Sequence, residues 1–222
     1  MDEDRLKPLD KLMEPAGINA AIARANLAKG TVKQKTLADH YGDISATRLP
    51  PMVPEDIRSH FDIARNLLLY SWFVWEFRPV AQLYAYVSLE LALRTRVHLA
   101  DDIDERDRPG LHGLLSLALE RGWLDVTALS EYKLIDANQK AAFERWAAVS
   151  EDQQTALNWA PQVDPREYAA ELARYMPFVR NDLAHGTAWT PGNPIGTLMT
   201  CRELIIQLFP GHVKSTPQSA DA

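Results

Sequence analysis

Three polar residues late in the chain have types and spacing suited to chemistry: Arg180, Asn181 and His185. Asn181 and His185 are four apart, so on a helix they share a face. Gly186 follows at once and is a natural helix stop. The carbonyl end of a helix favours a protonated imidazole, and histidine is the side chain that gives or takes protons near neutral pH. Arg180 is permanently charged, and its planar fork of donors suits a phosphate. An arginine and a histidine near each other can support phosphodiester cleavage without a metal. The histidine would move protons and the arginine would stabilise charge on the phosphorane. The bland alternative is a pair of solvated groups ending a helix.

The helix that must carry these residues has a well-marked start. Asp164 suits the N-cap, Pro165 the first position, and Glu167 stands three after the cap. Tyr168, Leu172, Tyr175, Met176, Val179 and Leu183 form one apolar stripe. Pro177 interrupts it and should kink the helix or free a carbonyl. Upstream, a helix is expected from Glu55 to about Phe77, with Ile57, Phe61, Ala64, Leu68, Trp72 and Trp75 at helical spacing. Pro79 should then mark a turn or kink before a largely buried helix from about Val80 to Leu99. There Glu90 and Arg94 stand in the favourable order for an i, i+4 ion pair. Glu90 could instead orient Arg180 or His185 from this neighbouring helix.

Further helices are expected over Leu111–Glu120, stopped by Gly122, over Leu129–Val149, and over about Ile195–Phe209. Residues 99–152 carry 6 basic and 12 acidic groups, so the net charge of −6 comes from this middle segment. Within it, 101–110 reads as an acidic loop and 124–162 as an acidic, partly exposed helical insertion. Residues 1–50 read as a weakly periodic arm, with Ala20–Ala28 helix-prone and stopped by Gly30. Residues 51–210 form the helical domain, and 211–222 a flexible tail. No alternating pattern is long enough for a sheet.

The segment Arg180-Asn181-Asp182-Leu183-Ala184-His185-Gly186 resembles the Arg-x4-6-His motif of the HEPN superfamily, in its Arg-Asn-x-x-x-His form. Residues Val80–Arg94 are similar to the second helix of that family, with its Glu-x3-Lys/Arg element at Glu90 and Arg94. The likeness spans about residues 55–210, with 124–162 departing from it and the arm outside it. It implies an all-α, HEPN-like bundle of four to five core helices that pairs as a homodimer, its two motifs meeting at the interface. Catalytic members are metal-independent endoribonucleases, frequent in toxin–antitoxin and antiphage systems. They cut by 2′-hydroxyl attack and leave a 2′,3′-cyclic phosphate. Arg180 and His185 would then be catalytic, with Asn181, Glu90 and Arg94 in support. Other members are inert modules that bind a protein partner or nucleotide. Outside its chosen helix the motif is weak, since Arg106 and His112 also fit it, across Pro109 and Gly110.

Composition bounds these readings. The chain lacks any Lys/Arg run, which argues against broad, salt-driven binding to long nucleic acid but allows a local cationic cleft. One cysteine, Cys201, excludes an internal disulfide, and the acidic N-terminus does not resemble a secretory signal; a cytoplasmic protein is expected. Leu67–Leu93 is apolar, but Glu76, Arg78, Pro79 and Glu90 favour a buried hairpin over a membrane span. No metal-ligand spacing or phosphate-cradling glycine loop is present, so no cofactor or metal is expected. Tyr70, Trp72, Phe73 and Trp75 could stack bases but suit a core or dimer contact better.

Overall fold

The structure is a computed structural model that describes residues 6–19, 22–26, 30–100, 109–147, 163–186 and 193–210. Seven α-helices dominate the described residues: α1 (Leu37–Ser45), α2 (Glu55–Tyr70), α3 (Phe77–Leu99), α4 (Leu111–Glu120), α5 (Ser130–Ala147), α6 (Pro165–Ala184) and α7 (Pro194–Leu208). The mostly helical fold agrees with the sequence. None of these helices is long and apolar enough to cross a membrane.

α3 is the central element, packed against α2, α4, α6 and α7. Its small and apolar positions Ala81, Ala85, Leu89, Ala92 and Leu93 are wholly inaccessible to solvent. From α2, Ile57, Phe61, Ala64 and Leu68 enter the same core, and from α7 Leu198, Leu204, Ile205 and Leu208. Each fully buried leucine contributes roughly 1.5–3 kcal/mol relative to exposure. The start of the 124–162 segment also belongs to this core, through Leu124, Val126 and Leu129.

Two boundaries differ from the sequence reading. α2 ends at Tyr70, and the reversal occupies Ser71–Glu76, so Trp75 lies in the turn. Pro79 falls inside the first turn of α3, where its missing N–H would have had no helical partner anyway. Trp72 is buried, but Tyr70 is exposed, so the four aromatics there do not act as one core block.

The arm differs more. Ala23–Asn26 is a strand, not part of a helix, and pairs antiparallel with Thr31–Gln34. Gly30 leads into the second strand at φ +59°, a left-handed value that favours glycine. α1 follows, opened by a reciprocal capping box between Thr36 and Asp39. The arm docks on the α2–α3 corner. There the backbone N–H of Ala16 and the side-chain amide of Asn19 both donate to the Trp72 carbonyl, at 2.8 and 2.9 Å. Asn19 also donates to the Ser71 carbonyl, and buried His40 donates from Nε2 to the Leu68 carbonyl at 2.8 Å. The arm thus supplies donors to carbonyls of the turn after α2, at Ser71 and Trp72, and joins the Ser71 hydroxyl in donating to the Leu68 carbonyl.

Pro177 acts as the second of its two expected alternatives. Lacking an N–H, it leaves the carbonyl four residues back, Ala173, without a helical donor. His112 of α4 donates to that carbonyl from Nδ1 at 2.8 Å, tying α4 to α6. His112 lies in α4, within the helix expected over Leu111–Glu120, and Arg106 lies outside the described residues.

Candidate functional site

The site is built where α3 meets the end of α6. Glu90 lies on α3 with its side chain 14% exposed. One carboxylate oxygen accepts from Arg94 Nη2 at 2.7 Å and the other from Arg180 Nη2 at 3.2 Å. Glu90 thus pairs both with Arg94 one turn on and with Arg180 of the neighbouring helix. Arg94 also donates to the Pro109 carbonyl at 3.2 Å, which holds the chain just ahead of α4. Arg180 Nη1 donates to the Asn181 Oδ1 at 3.2 Å, so the neighbouring residue braces the guanidinium from a second side.

Two guanidiniums share one carboxylate, which leaves a surplus positive charge at this point. Arg180 Nε is buried with no partner among the described residues. That donor has lost water without replacement, a cost that the bond to Glu90 must offset. Its Nη edge is the part that remains near solvent, the side chain being 32% exposed.

His185 is the C-cap of α6. Its backbone N–H donates to the Asn181 carbonyl, and Gly186 follows at φ +86° as the left-handed helix stop. The imidazole is exposed, and no described residue hydrogen-bonds it. Arg180 and His185 are five residues apart, about 140° round a helix at 3.6 residues per turn. Arg180 accordingly turns to α3, while Asn181 and His185 share the outward face. The structure brings Glu90, Arg94, Arg180 and Asn181 together. It does not draw His185 into that cluster.

Comparison with protein-family models, curated proteins and solved structures finds no match. The chemistry of the site thus rests on its own residues. The sequence reading missed Phe178. It is 61% exposed and stands three before Asn181 and seven before His185, on the same outward face. The i, i+3, i+7 spacing was there to find, but it falls outside the apolar stripe of the core. Beside it Tyr175, placed in that stripe by sequence, is 48% exposed.

Chemically, the arrangement offers a braced, permanently charged donor fork and an exposed imidazole, without a hydrogen bond from any described residue, less than two turns apart on one helix. Among the described residues, no trio of His, Cys, Asp or Glu side chains is placed to hold a metal.

Proposed function

We propose that the protein is a metal-independent endoribonuclease of the HEPN type that acts as a homodimer. The observation that carries this reading is the sharing of Glu90 between Arg94 and Arg180, the latter on the same helix that ends at an exposed His185 five residues on. The carboxylate fixes where the Arg180 guanidinium lies, and the second arginine keeps the spot cationic enough for a phosphate.

In this mechanism the ribose 2′-oxygen attacks the adjacent phosphorus and the bond to the 5′-oxygen breaks. A 2′,3′-cyclic phosphate and a 5′-hydroxyl result, with no water or metal consumed. His185 carries the proton, taken from the 2′-hydroxyl or given to the leaving oxygen. Because Arg180 and His185 leave α6 in different directions, one copy offers a single imidazole on the outward face. A second copy, meeting that face, supplies the other. A role in a toxin–antitoxin or antiphage system, within the cytoplasm, fits this activity.

The test is cleavage of single-stranded RNA by purified protein in excess chelator, with product ends identified. His185→Ala should lower the rate by about a hundredfold or more, the usual size of a general acid–base contribution, with unchanged melting. Equal cutting by this variant would show the activity to be foreign. A second reading, a catalytically inert dimer that binds a protein or nucleotide, is favoured by one observation: Arg180 already spends part of its charge on Glu90. Under it Arg180→Ala changes ligand affinity, and there is no cleavage to lose.

A further inference from the structure

A cleft of about 570 Å³ opens between α3, α5, α6 and α7. It is separate from the motif: none of Glu90, Arg94, Arg180, Asn181 or His185 lines it. Its walls combine two chemistries. Tyr86, Tyr168 and Tyr175 contribute rings, with methionine and leucine side chains beside them, and Glu131, Glu171 and Glu203 contribute carboxylates. No lysine, arginine or histidine is among the described residues that line it.

The carboxylates are only partly compensated. Glu203 accepts from the backbone N–H and the hydroxyl of Ser130, at the start of α5, and Glu131 accepts from the Thr200 hydroxyl. The N-terminus of α5 offsets about half a charge. Glu171 pairs with Arg174, but both side chains are well exposed, at 64% and 71%, so that pair is weak. Tyr168 faces the same acids: burial first, and after it Glu131 and Glu203, push its hydroxyl up to about 12. The acids rim a volume rather than converge on a point, since no trio among the described residues is placed for a metal. A volume of this size is that of a small-molecule pocket, and tyrosine rings add attraction for a cation.

We infer that this cleft binds a small organic cation, an ammonium or guanidinium group carried on an apolar body. The charged head meets Glu131 and Glu171, and the body lies against Tyr175, Met176 and Met199. The inference does not depend on the nuclease reading, because the cleft shares no residue with the motif.

The experiment titrates full-length protein with 2-phenylethylamine, benzyltrimethylammonium and the neutral 2-phenylethanol, followed by methionine methyl resonances and calorimetry. The two cations should bind saturably and at least about tenfold tighter than the alcohol, a difference of about 1.4 kcal/mol. Met199 and Met176 signals should shift. Glu131→Gln and Glu171→Gln together should remove that preference. Glu203 is left intact because it caps α5. Should the pair of changes unsettle the fold, Glu171→Gln alone, at an exposed position, should still weaken the cations and not the alcohol. Equal affinity for amine and alcohol, an unchanged preference in Glu171→Gln, or no saturable binding would each overturn the inference.

Discussion

Glu90 is the residue on which the motif's geometry turns, because it is the one carboxylate between two guanidiniums. Replacing it with glutamine keeps the shape and removes the charge. Arg94 retains the Pro109 carbonyl and Arg180 retains Asn181, so each loses its counter-charge but not every acceptor. The arginines are 39% and 32% exposed, so the cost should lie between that of surface and buried pairs, about 1–2 kcal/mol by denaturant unfolding. RNA cleavage should fall by about tenfold or more, since a misplaced guanidinium loses transition-state contact. Glu90→Gln that is destabilised yet cuts at the parental rate would show Glu90 to be a structural ion only. The pair Glu90–Arg94 was legible from i, i+4 spacing. Its link to Arg180 was legible only as one of two options, because 90 residues of chain separate the partners and nothing local fixes how α3 and α6 pack.

At the scale of elements, the bond between His112 and Ala173 explains how a proline is tolerated inside α6. His112→Ala leaves the Ala173 carbonyl without its donor, which should cost about 1–3 kcal/mol. Pro177→Ala restores an N–H that can pair with the same carbonyl within the helix. Combining the two should therefore cost less than the sum of the single changes, by about 1 kcal/mol or more in a double-mutant cycle. Strict additivity would refute the account. The helices themselves were largely readable from sequence. The starts at Glu55 and Pro165 and the stop at Gly122, with φ +66°, stand where capping and glycine chemistry put them. What misled was local propensity without tertiary context. Alanines around Ala23 suit a helix, yet the segment pairs with Thr31–Gln34 instead. The run through Trp75 looked helical because an aromatic cluster at a corner has the same spacing as a stripe. Phe178 was overlooked since an exposed apolar residue on the polar face contradicts the pattern that identifies a helix.

For the whole molecule, the arm and the bundle are joined through the carbonyl end of α2, and that joint contains a titrating group. His40 is 3% exposed, packs against Trp72, and donates from Nε2 to the Leu68 carbonyl. Burial lowers its pKa from 6.5; the Leu68 bond opposes this, Lys35 and Arg78 add to the lowering, and Asp43 opposes it. A histidine whose folded pKa lies below its unfolded value takes up a proton on unfolding. Stability from this group is therefore full above the unfolded pKa, falls as pH drops through 6.5, and levels off below the folded pKa. The Ala16 amide, bonded to the Trp72 carbonyl, reports on arm docking directly. Its opening equilibrium, from hydrogen exchange corrected for intrinsic rate, should rise between about pH 7.5 and about pH 5.5, by at most about tenfold per unit, the limit for one proton. His40→Gln places a non-titrating amide donor within reach of the Leu68 carbonyl. It should flatten that pH dependence at Ala16 while amides at the centre of α3, away from the joint, keep their own profile. If the Gln variant opens with the parental pH slope, the joint does not titrate through His40, and the arm is held by its other contacts, among them Ala16, Asn19 and Lys7 at the Trp72–Phe73 carbonyls.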